Sequence, residues 1–245
     1  MSWELVYIIS GLAILPVLII AIIVSIRVTT VMEHYHHVEA TGGITARELV
    51  QRIAADNHLN IRVEVASDGD GDHYDPHTKA VRLTPKVMNS TSVSALAVAA
   101  HECGHALQDA QNYAPLRLRN AVIRVNNFSS RLLTPLIIIS MIASIFMVGM
   151  AAEIYFQWML LAFCVIYGLA ALVSFITLPT EFDASRRGKQ MLKAMHMVEG
   201  RDEERGVSKV LRAAANTYVV SFALSLIYFL RYLSYFALLF MRRRD

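Results

Sequence analysis

"AVAAHECGHALQ", Ala97 to Gln108, places two histidines and a glutamate in the pattern His-Glu-x-x-His. On a helix, residues four positions apart lie on one face, so His101 and His105 can present two imidazoles to one metal ion. Glu102 can act as a general base toward a zinc-bound water without binding the metal itself. The pattern predicts a zinc-dependent centre for peptide-bond hydrolysis. Its alternative is a chance spacing of two histidines on an amphipathic helix.

The composition of the whole chain indicates an integral membrane protein. Its 245 residues are 55% hydrophobic and only 18% charged, and the mean hydropathy is +0.43. These values are too apolar for an ordinary soluble domain. The net charge of +3 is small and the basic residues are scattered or lie beside apolar stretches, so nucleic-acid binding is not expected. The two cysteines, Cys103 and Cys164, are not expected to form a disulfide.

Four apolar stretches are long enough to cross the hydrocarbon core of a bilayer, which requires about 20 helical residues. They cover residues 5–28, 132–150, 156–178 and 218–240. The first is predicted to be a retained anchor and not a signal peptide, because its leading MSWE is acidic and no small-residue cleavage site follows. The fourth contains Arg231, whose charge must face protein or reach the membrane interface.

The distribution of lysine and arginine predicts the orientation in the membrane. The connection 151–157 has neither residue, whereas the segments 117–131 and 179–193 carry four each. Because short basic segments tend to stay in the cytoplasm, both segments, and with them the zinc site, are expected at the cytoplasmic face of the plasma membrane. The C-terminal MRRRD is an opposing signal, since four spans arranged in this way place both termini outside.

The soluble region is predicted to be a small α+β zinc-peptidase domain. In ITARELVQRIAADN, Thr45 and Glu48 predict a capping box at the start of a helix. The alternating segments NIRVEVAS and KAVRLT predict a two-stranded β-hairpin with DGDGDHYDP as its long connection. KAVRLT is expected to border the cleft and to pair with an extended substrate. A further helix, capped by Ser90, Thr91 or Ser92, carries the histidines.

The expected fold is mainly α, a multi-span membrane protein with about four transmembrane helices and this small α+β domain. An interruption of the last soluble helical segment is predicted at Gly200 and RDEERG. The predicted organisation is an anchor at 1–28, the zinc-peptidase region at 29–131, a transmembrane hairpin at 132–178, a helical segment with the third zinc ligand at 179–217, and a transmembrane helix with a basic tail at 218–245.

A catalytic zinc requires three protein ligands and one open position. The candidates for the third ligand are Glu181 and Asp183 in LPTEFDASRRG, immediately after the third apolar stretch. Pro179 and Thr180 predict a helix start at this point, in which Asp183 binds the free backbone donors of the first turn. Glu181 then remains unengaged, and its longer side chain can reach a zinc ion held on another helix.

The chain resembles the bacterial membrane neutral zinc metallopeptidases called YugP-like. The resemblance is carried by TGGITARELVQRI, DHYDPHTKAVRLTP, AAHECGHALQDA, YAPLRLRN and LPTEFDASRRG, and it extends over most of the chain. The chain is more distantly similar to HtpX-type and CAAX prenyl membrane proteases, in which a glutamate in an E-x-x-A-D string completes the site. The resemblance implies Glu181 as the third ligand and Zn²⁺ as the cofactor, with Ser185 in place of the aspartate. It also includes His73 and Tyr74, which are candidates for stabilising the oxyanion.

Three other features each allow two interpretations. His34, His36 and His37 in EHYHH are either a second metal site or, more commonly after a first span, a polar collar. DGDGD has the alternating acids of a calcium loop but lacks the glutamate at its twelfth position, which favours a turn. Cys103 is expected to be a small packed side chain, with a redox or inhibitory role beside zinc as the alternative. One zinc ion per chain is therefore expected.

The predicted function is that of a membrane-embedded zinc endopeptidase. It would hydrolyse peptide bonds of membrane-associated or misfolded polypeptides, with the zinc-bound water activated by Glu102. The alternative is a non-catalytic membrane adaptor or assembly factor with a structural zinc site, which needs no general base. A transporter is less consistent, because the spans show Arg231 as an internal charge but no acidic pathway. The expected partners are a polypeptide substrate, the lipid bilayer, and a membrane-protein partner or a second copy of the chain.

Overall fold

The computed structural model describes residues 2–146 and 150–241. Within them the helices are α1 (Trp3–His36), α2 (Ala46–Asp56), α3 (Pro85–Met88), α4 (Val93–Ala110), α5 (Ala114–Phe146), α6 (Met150–Ala194) and α7 (Gly200–Met241), and the strands are β1 (Arg62–Val65), β2 (His73–Asp75) and β3 (Ala80–Leu83). The fold is mainly helical with a small sheet, as the sequence predicts. Four helices, α1, α5, α6 and α7, are long and apolar enough to cross a membrane. The predicted basic tail, 242–245, lies outside the described residues.

The contacts divide the chain into two compact units. The first unit comprises Met1–Ile22, Leu118–Ile176 and Tyr218–Asp245, and the second comprises Ile23–Arg117 and Thr177–Thr217. The second unit contains the sheet, α2, α3 and α4, together with a cluster of buried apolar side chains. The histidine motif therefore lies in the unit that has the larger buried core.

The helices of the second unit begin where their capping residues predict. Thr45 Oγ1 accepts a hydrogen bond from Glu48 N, and Glu48 Oε2 accepts one from Thr45 N, so the predicted capping box of α2 is confirmed. Of the three predicted caps of α4, Ser92 is the one at the N-cap, where its hydroxyl accepts from Ala95 N. α2 then packs against α4, with Leu49 fully buried, because its apolar residues recur at helical spacing.

The sheet differs from the predicted hairpin. β1 and β3, the segments expected to form an antiparallel pair, are parallel, and the strand order is β1-β3-β2. The prediction is wrong because DGDGDHYDP is more than a turn. DGDGD does form one, in which Asp70 N donates to Ser67 O, but His73 and Tyr74 continue into β2. β2 pairs with β3 in antiparallel fashion, after a tight reversal that ends at Lys79 with a positive φ of 52°.

The central position of β3 also decides where an extended polypeptide can pair with this sheet. Both edges of β3 are occupied, one by β1 and the other by β2. An added strand needs unpaired backbone groups at a sheet edge. The prediction that KAVRLT itself pairs with substrate is therefore wrong, and the free edges belong to β1 and β2.

α6 is one continuous helix with Pro179 inside it. The predicted helix start at Thr180 is wrong, since no interruption separates the apolar stretch 156–178 from the segment that carries Glu181. Proline is tolerated inside such helices when neighbouring groups satisfy the freed backbone carbonyls. The break expected at Gly200 and RDEERG instead precedes them: residues 195–199 are non-helical, and α7 begins at Gly200.

In the first unit, Arg231 of the fourth apolar stretch contacts Tyr7 of α1. The guanidinium group donates to the backbone carbonyl of Tyr7 at 3.4 Å and lies 3.2 Å from the Tyr7 hydroxyl. It also lies 4.4 Å from the centre of the Tyr7 ring, a cation–π arrangement. The expectation that this charge must face protein or reach the interface is therefore confirmed, because it faces α1 inside this unit.

Candidate metal centre

α4 and α6 approach each other backbone to backbone beside the histidine motif. A Cβ added to Gly104 would collide with the carbonyl oxygen of Ala184 and would lie 3.0 Å from the Cα of that residue. A Cβ added to Gly188 would lie 2.8 Å from the carbonyl carbon and oxygen of Ala100. Because all of these atoms belong to backbone, neither contact can be relieved by turning a side chain. The two glycines therefore permit a helix crossing that larger residues would widen.

His101, His105 and Glu181 converge at this crossing. Nε2 of His101 lies 3.2 Å from Oε2 of Glu181, and Nε2 of His105 lies 3.5 Å from the same oxygen. The two imidazole rings meet edge to face, with their centres 4.7 Å apart. Within the described ranges 2–146 and 150–241, these three form the one group of His, Cys, Asp or Glu residues close enough to hold a metal ion, and their ligand atoms lie within 4.8 Å of one another.

The other ring nitrogen of each histidine is held by a polar side chain. Nδ1 of His101 lies 3.1 Å from Ser185 Oγ, and Nδ1 of His105 lies 3.0 Å from Gln108 Oε1. Because Gln108 Nε2 donates to the carbonyl of Thr180 at 2.8 Å, its Oε1 is left to accept from Nδ1–H. An imidazole protonated at Nδ1 carries its lone pair on Nε2, the nitrogen that faces the carboxylate. The surroundings thus leave Nε2 of His105 able to bind a metal ion.

Asp183 supports this arrangement instead of capping a helix. Its Oδ2 accepts from Gln108 Nε2 at 3.0 Å and from Arg187 Nε at 2.5 Å, and its Oδ1 accepts from Arg186. Burial alone would raise the pKa of Asp183, but hydrogen bonds from Arg186, Gln108 and Arg187 hold it below its usual value. The predicted capping role is wrong because α6 continues through Pro179, which leaves Asp183 no first turn to cap.

Glu102 is a buried carboxyl group between the two histidines in sequence. Its Oε2 accepts a hydrogen bond of 2.9 Å from the backbone N–H of Tyr74, on β2. Burial raises the pKa of Glu102 to about 7, against the opposing effects of His101 and of the hydrogen bond from Tyr74. Among the described residues no hydrogen bond reaches Oε1, so this second oxygen is available to a proton.

The two predicted oxyanion stabilisers lie side by side on β2, but neither side chain belongs to the three-residue cluster. The Tyr74 hydroxyl donates to Asp109 Oδ2 at 2.7 Å, and His73 Nδ1 lies 2.8 Å from the carbonyl oxygen of Gly71. Burial and the contact with Asp109 raise the pKa of Tyr74, so its hydroxyl keeps its proton. The structure brings Tyr74 to the motif through its backbone N–H, and the oxyanion role of both side chains stays a prediction.

Sequence reasoning missed the side chains that contact the two histidines of the motif. Gln108 lies three positions after His105, a spacing that places both on one face of a helix, so its role was detectable within AVAAHECGHALQ. Ser185 occupies the position of the aspartate in the E-x-x-A-D string of the distant relatives. Its role was not predicted, yet its hydroxyl contacts His101. The long-range contact between Gln108 and Asp183 carries no signal in a single sequence.

The other candidate features have separate surroundings. His36 Nδ1 lies 3.4 Å from Ser92 Oγ and His37 Nε2 lies 3.2 Å from Glu33, so EHYHH makes polar contacts with protein groups. Cys103 is fully buried, and burial followed by the charge of Glu102 raises the pKa of its thiol. A protonated, enclosed thiol fits the expected packed side chain.

The donor set suits zinc. Two imidazole nitrogens and one carboxylate oxygen are the ligands of many catalytic zinc sites, in which a fourth position stays open. Burial alone would raise the pKa of Glu181, but the adjacent imidazole groups of His101 and His105 hold that pKa below the usual range. An ionised, buried carboxylate thus faces two ring nitrogens whose far sides are already held. These residues fit Zn²⁺ by chemical type, by orientation and by convergence.

Comparison with known proteins agrees with this geometry. A family model described as "Putative neutral zinc metallopeptidase" matches residues 10–237. The chain is also 36% identical over 222 residues to "Putative membrane protease YugP" of Bacillus subtilis (strain 168), a match that covers 89% of this chain and 91% of that protein. No solved structure matches the chain. The cofactor that the family implies is zinc, and the match includes all three residues of the metal cluster. The chain therefore belongs to this family of zinc metallopeptidases.

Proposed function

We propose that the protein is a membrane-embedded endopeptidase in which His101, His105 and Glu181 hold zinc and Glu102 is the general base. The observation that carries the proposal is the convergence of the three ligand atoms within 4.8 Å, directly beside a buried carboxyl group that is not one of them. When bound, zinc polarises the peptide carbonyl and lowers the pKa of water. The chain's own groups position the substrate and move the proton.

The three-ligand set favours an enzyme over an adaptor with a structural zinc site. Structural zinc is almost always held by four protein ligands, whereas a catalytic site keeps one position open. Within the described part of the chain, no fourth His, Cys, Asp or Glu joins the cluster. Among the residues that the structure describes, Glu102 accepts one hydrogen bond, from the backbone N–H of Tyr74, and this contact alone does not require a carboxylate.

Glu102 is suited to proton transfer by its position. The N–H of Tyr74 fixes Oε2 and leaves Oε1 to take a proton from water and deliver it to the leaving amine. We place the extended substrate along the outer edge of β2, because this edge lies next to Glu102. The Tyr74 N–H already donates to Glu102, so pairing there would use other backbone groups of β2. Backbone pairing at a strand edge accepts many sequences, which suits unfolded or membrane-associated polypeptides.

We also propose that the site faces the cytoplasm at the plasma membrane. Glu181 follows the apolar stretch 156–178 by less than one turn of the same helix, and the basic residues that come after it favour the cytoplasmic side. Single cysteines introduced near Asp70 and near Arg187 should be shielded from an impermeant thiol reagent in intact cells. One near Glu153 should be labelled. The opposite labelling pattern would reverse this orientation.

The test of the peptidase is the Glu102→Gln variant of the full chain in membranes. We expect it to retain about one zinc per chain and to lose at least about 100-fold in hydrolysis of an unfolded polypeptide, because general-base catalysis contributes that much or more. Wild-type activity should disappear with a chelator and return with zinc. If Glu102→Gln cleaves as well as wild type, the proposed mechanism is wrong.

The ligand assignment has its own test, a comparison of Glu181→Ala with Asp183→Ala. Loss of a ligand should abolish stoichiometric zinc binding, whereas loss of Asp183 removes a contact to Gln108 and should weaken binding by about 10- to 100-fold. Metal analysis of both purified variants distinguishes them. Zinc retained by Glu181→Ala but lost from Asp183→Ala would transfer the ligand role to Asp183.

A further inference from the structure

A basic cavity lies between the non-apolar parts of α6 and α7, within the second unit. Its volume is about 340 Å³, and three of its lining side chains are cationic: Arg186, Lys189 and Arg212. Phe182 and Leu211 supply apolar surface in the same cavity. A volume of this size is in the range of small-ligand sites, and the lining combines positive charge with an apolar wall. Such a lining suits a ligand that is anionic at one end and apolar at the other.

Two of the three cations are not neutralised by the protein. Arg186 is paired with Asp183, as described above. For Lys189 and Arg212, the described residues offer no carboxylate within ion-pair distance and no hydrogen-bond acceptor. Elsewhere on these helices, Lys193 lies 3.2 Å from Glu204 and Arg205 lies 3.9 Å from Asp202. Two positive charges without a carboxylate partner among the described residues therefore line the cavity.

The residues that line the cavity follow the apolar stretch 156–178 and precede the apolar stretch 218–240 by a few residues. Lipid headgroups are found at this distance from the end of an apolar stretch. Arg186 follows Leu178 by eight residues, about 12 Å along the helix axis, and Arg212 precedes Tyr218 by six residues, about 9 Å. On α6 the side chains lean toward the N-terminus of the helix, which is the side of the apolar stretch, so Arg186 and Lys189 can extend in that direction. On α7 the same lean is directed away from the apolar stretch, and Arg212 lines the cavity from that helix. The exposed ring of Phe182 lies between Arg186 and the apolar stretch along α6.

We propose that this cavity binds the phosphate of an anionic phospholipid headgroup, with Lys189 and Arg212 as its main contacts. Basic pockets between transmembrane helices are a recurrent way of binding such headgroups. The Ser185 hydroxyl lines the cavity and also contacts His101 Nδ1, so the bound lipid lies one side chain away from the metal cluster. The inference goes beyond the proposed function and does not depend on it, because lipid binding is measured without any peptidase assay.

The experiment is native mass spectrometry of the full chain in detergent, titrated with phosphatidylglycerol or with phosphatidylcholine. Wild type should bind one phosphatidylglycerol in preference to phosphatidylcholine. The double variant Lys189→Gln/Arg212→Gln should bind it about 30-fold more weakly, because each cation removed near a membrane surface weakens binding by about fivefold. Inorganic phosphate should displace the lipid poorly, because it lacks contact with the apolar wall.

The matched control is Lys193→Gln/Arg205→Gln, which removes two cations from the same helices where they are paired with Glu204 and Asp202. It should bind phosphatidylglycerol like wild type. Equal weakening in both double variants would show a general charge effect and would overturn the proposal. So would unchanged binding in Lys189→Gln/Arg212→Gln, or displacement of the lipid by inorganic phosphate at similar concentration.

Discussion

Replacing Gly104 by alanine should weaken zinc binding without unfolding the protein. The new Cβ would lie 3.0 Å from the Cα of Ala184, whereas ordinary contacts begin at 3.4 Å, so α6 must retreat by about 0.4 Å (3.4 − 3.0). The nearby carbonyl oxygen of Ala184 requires a larger shift. Glu181 lies on α6 three residues earlier, and a zinc site tolerates deviations of only about 0.2 Å in its ligand distances. The carboxylate should therefore move out of range.

Stability alone would not reveal this effect. Overpacking costs about 1 to 3 kcal/mol, and replacing glycine by alanine inside a helix stabilises by about 1 kcal/mol, so the free energy of unfolding should fall by about 0 to 2 kcal/mol, a change that does not identify the metal site. Zinc affinity should instead fall by about 10- to 100-fold, as it does when the groups supporting a metal ligand are disturbed. The assay is zinc titration against a competing chelator, with circular dichroism to establish that the variant is folded.

Two further variants make the Gly104 result specific. Gly188→Ala widens the same crossing, since its Cβ would lie 2.8 Å from Ala100, and it should also weaken zinc binding. Gly71→Ala meets no atom within 4 Å and should bind zinc like wild type. A folded Gly104→Ala protein with wild-type zinc affinity would refute the reasoning, because the ligands would then tolerate a wider crossing.

Three other perturbations test separate parts of the fold. Gln108→Leu should lower zinc affinity about 10- to 100-fold in the same titration, because Nδ1 of His105 loses its acceptor; an unchanged affinity would remove Gln108 from the site. Tyr7→Leu should lower the free energy of unfolding in detergent by about 1 to 3 kcal/mol, because Arg231 loses a hydroxyl and a ring contact. Adding Arg231→Leu to Tyr7→Leu should recover much of that loss, and a double variant no more stable than the single one would contradict this account. Thr45→Ala should cost about 1 kcal/mol by thermal unfolding and leave zinc content unchanged, and a loss of zinc would show that α2 is coupled to the metal cluster.

Local signals account for the features that the sequence predicts well. The capping box of Thr45 and Glu48 involves residues three positions apart, and the histidine motif places its ligands on one helix face by spacing alone. The four membrane-length helices follow from composition over about 20 residues. In each case the contacts that matter lie within one element, so a single sequence contains the necessary information.

The features that the sequence does not predict depend on contacts between distant elements. β1 and β3 carry the alternation of strands, but alternation does not distinguish parallel from antiparallel pairing, and the polar DGDGD obscures the strand that begins at His73. Pro179 is a valid local signal for a helix boundary, yet α6 continues through it and packs backbone to backbone against α4 beyond it, a contact that no local signal reports. The partnership of Gln108 with Asp183 bridges two helices and is equally invisible locally.

The contact between Tyr7 and Arg231 has a consequence for the order in which the protein is made. The ribosome synthesises α1 first and α7 last, so Arg231 is made only after Tyr7 and after α5 and α6. An arginine near the centre of an isolated membrane helix opposes insertion by about 2.5 to 3.5 kcal/mol. Tyr7 provides the polar contacts of this arginine, so a chain without α1 should insert α7 into the membrane less completely.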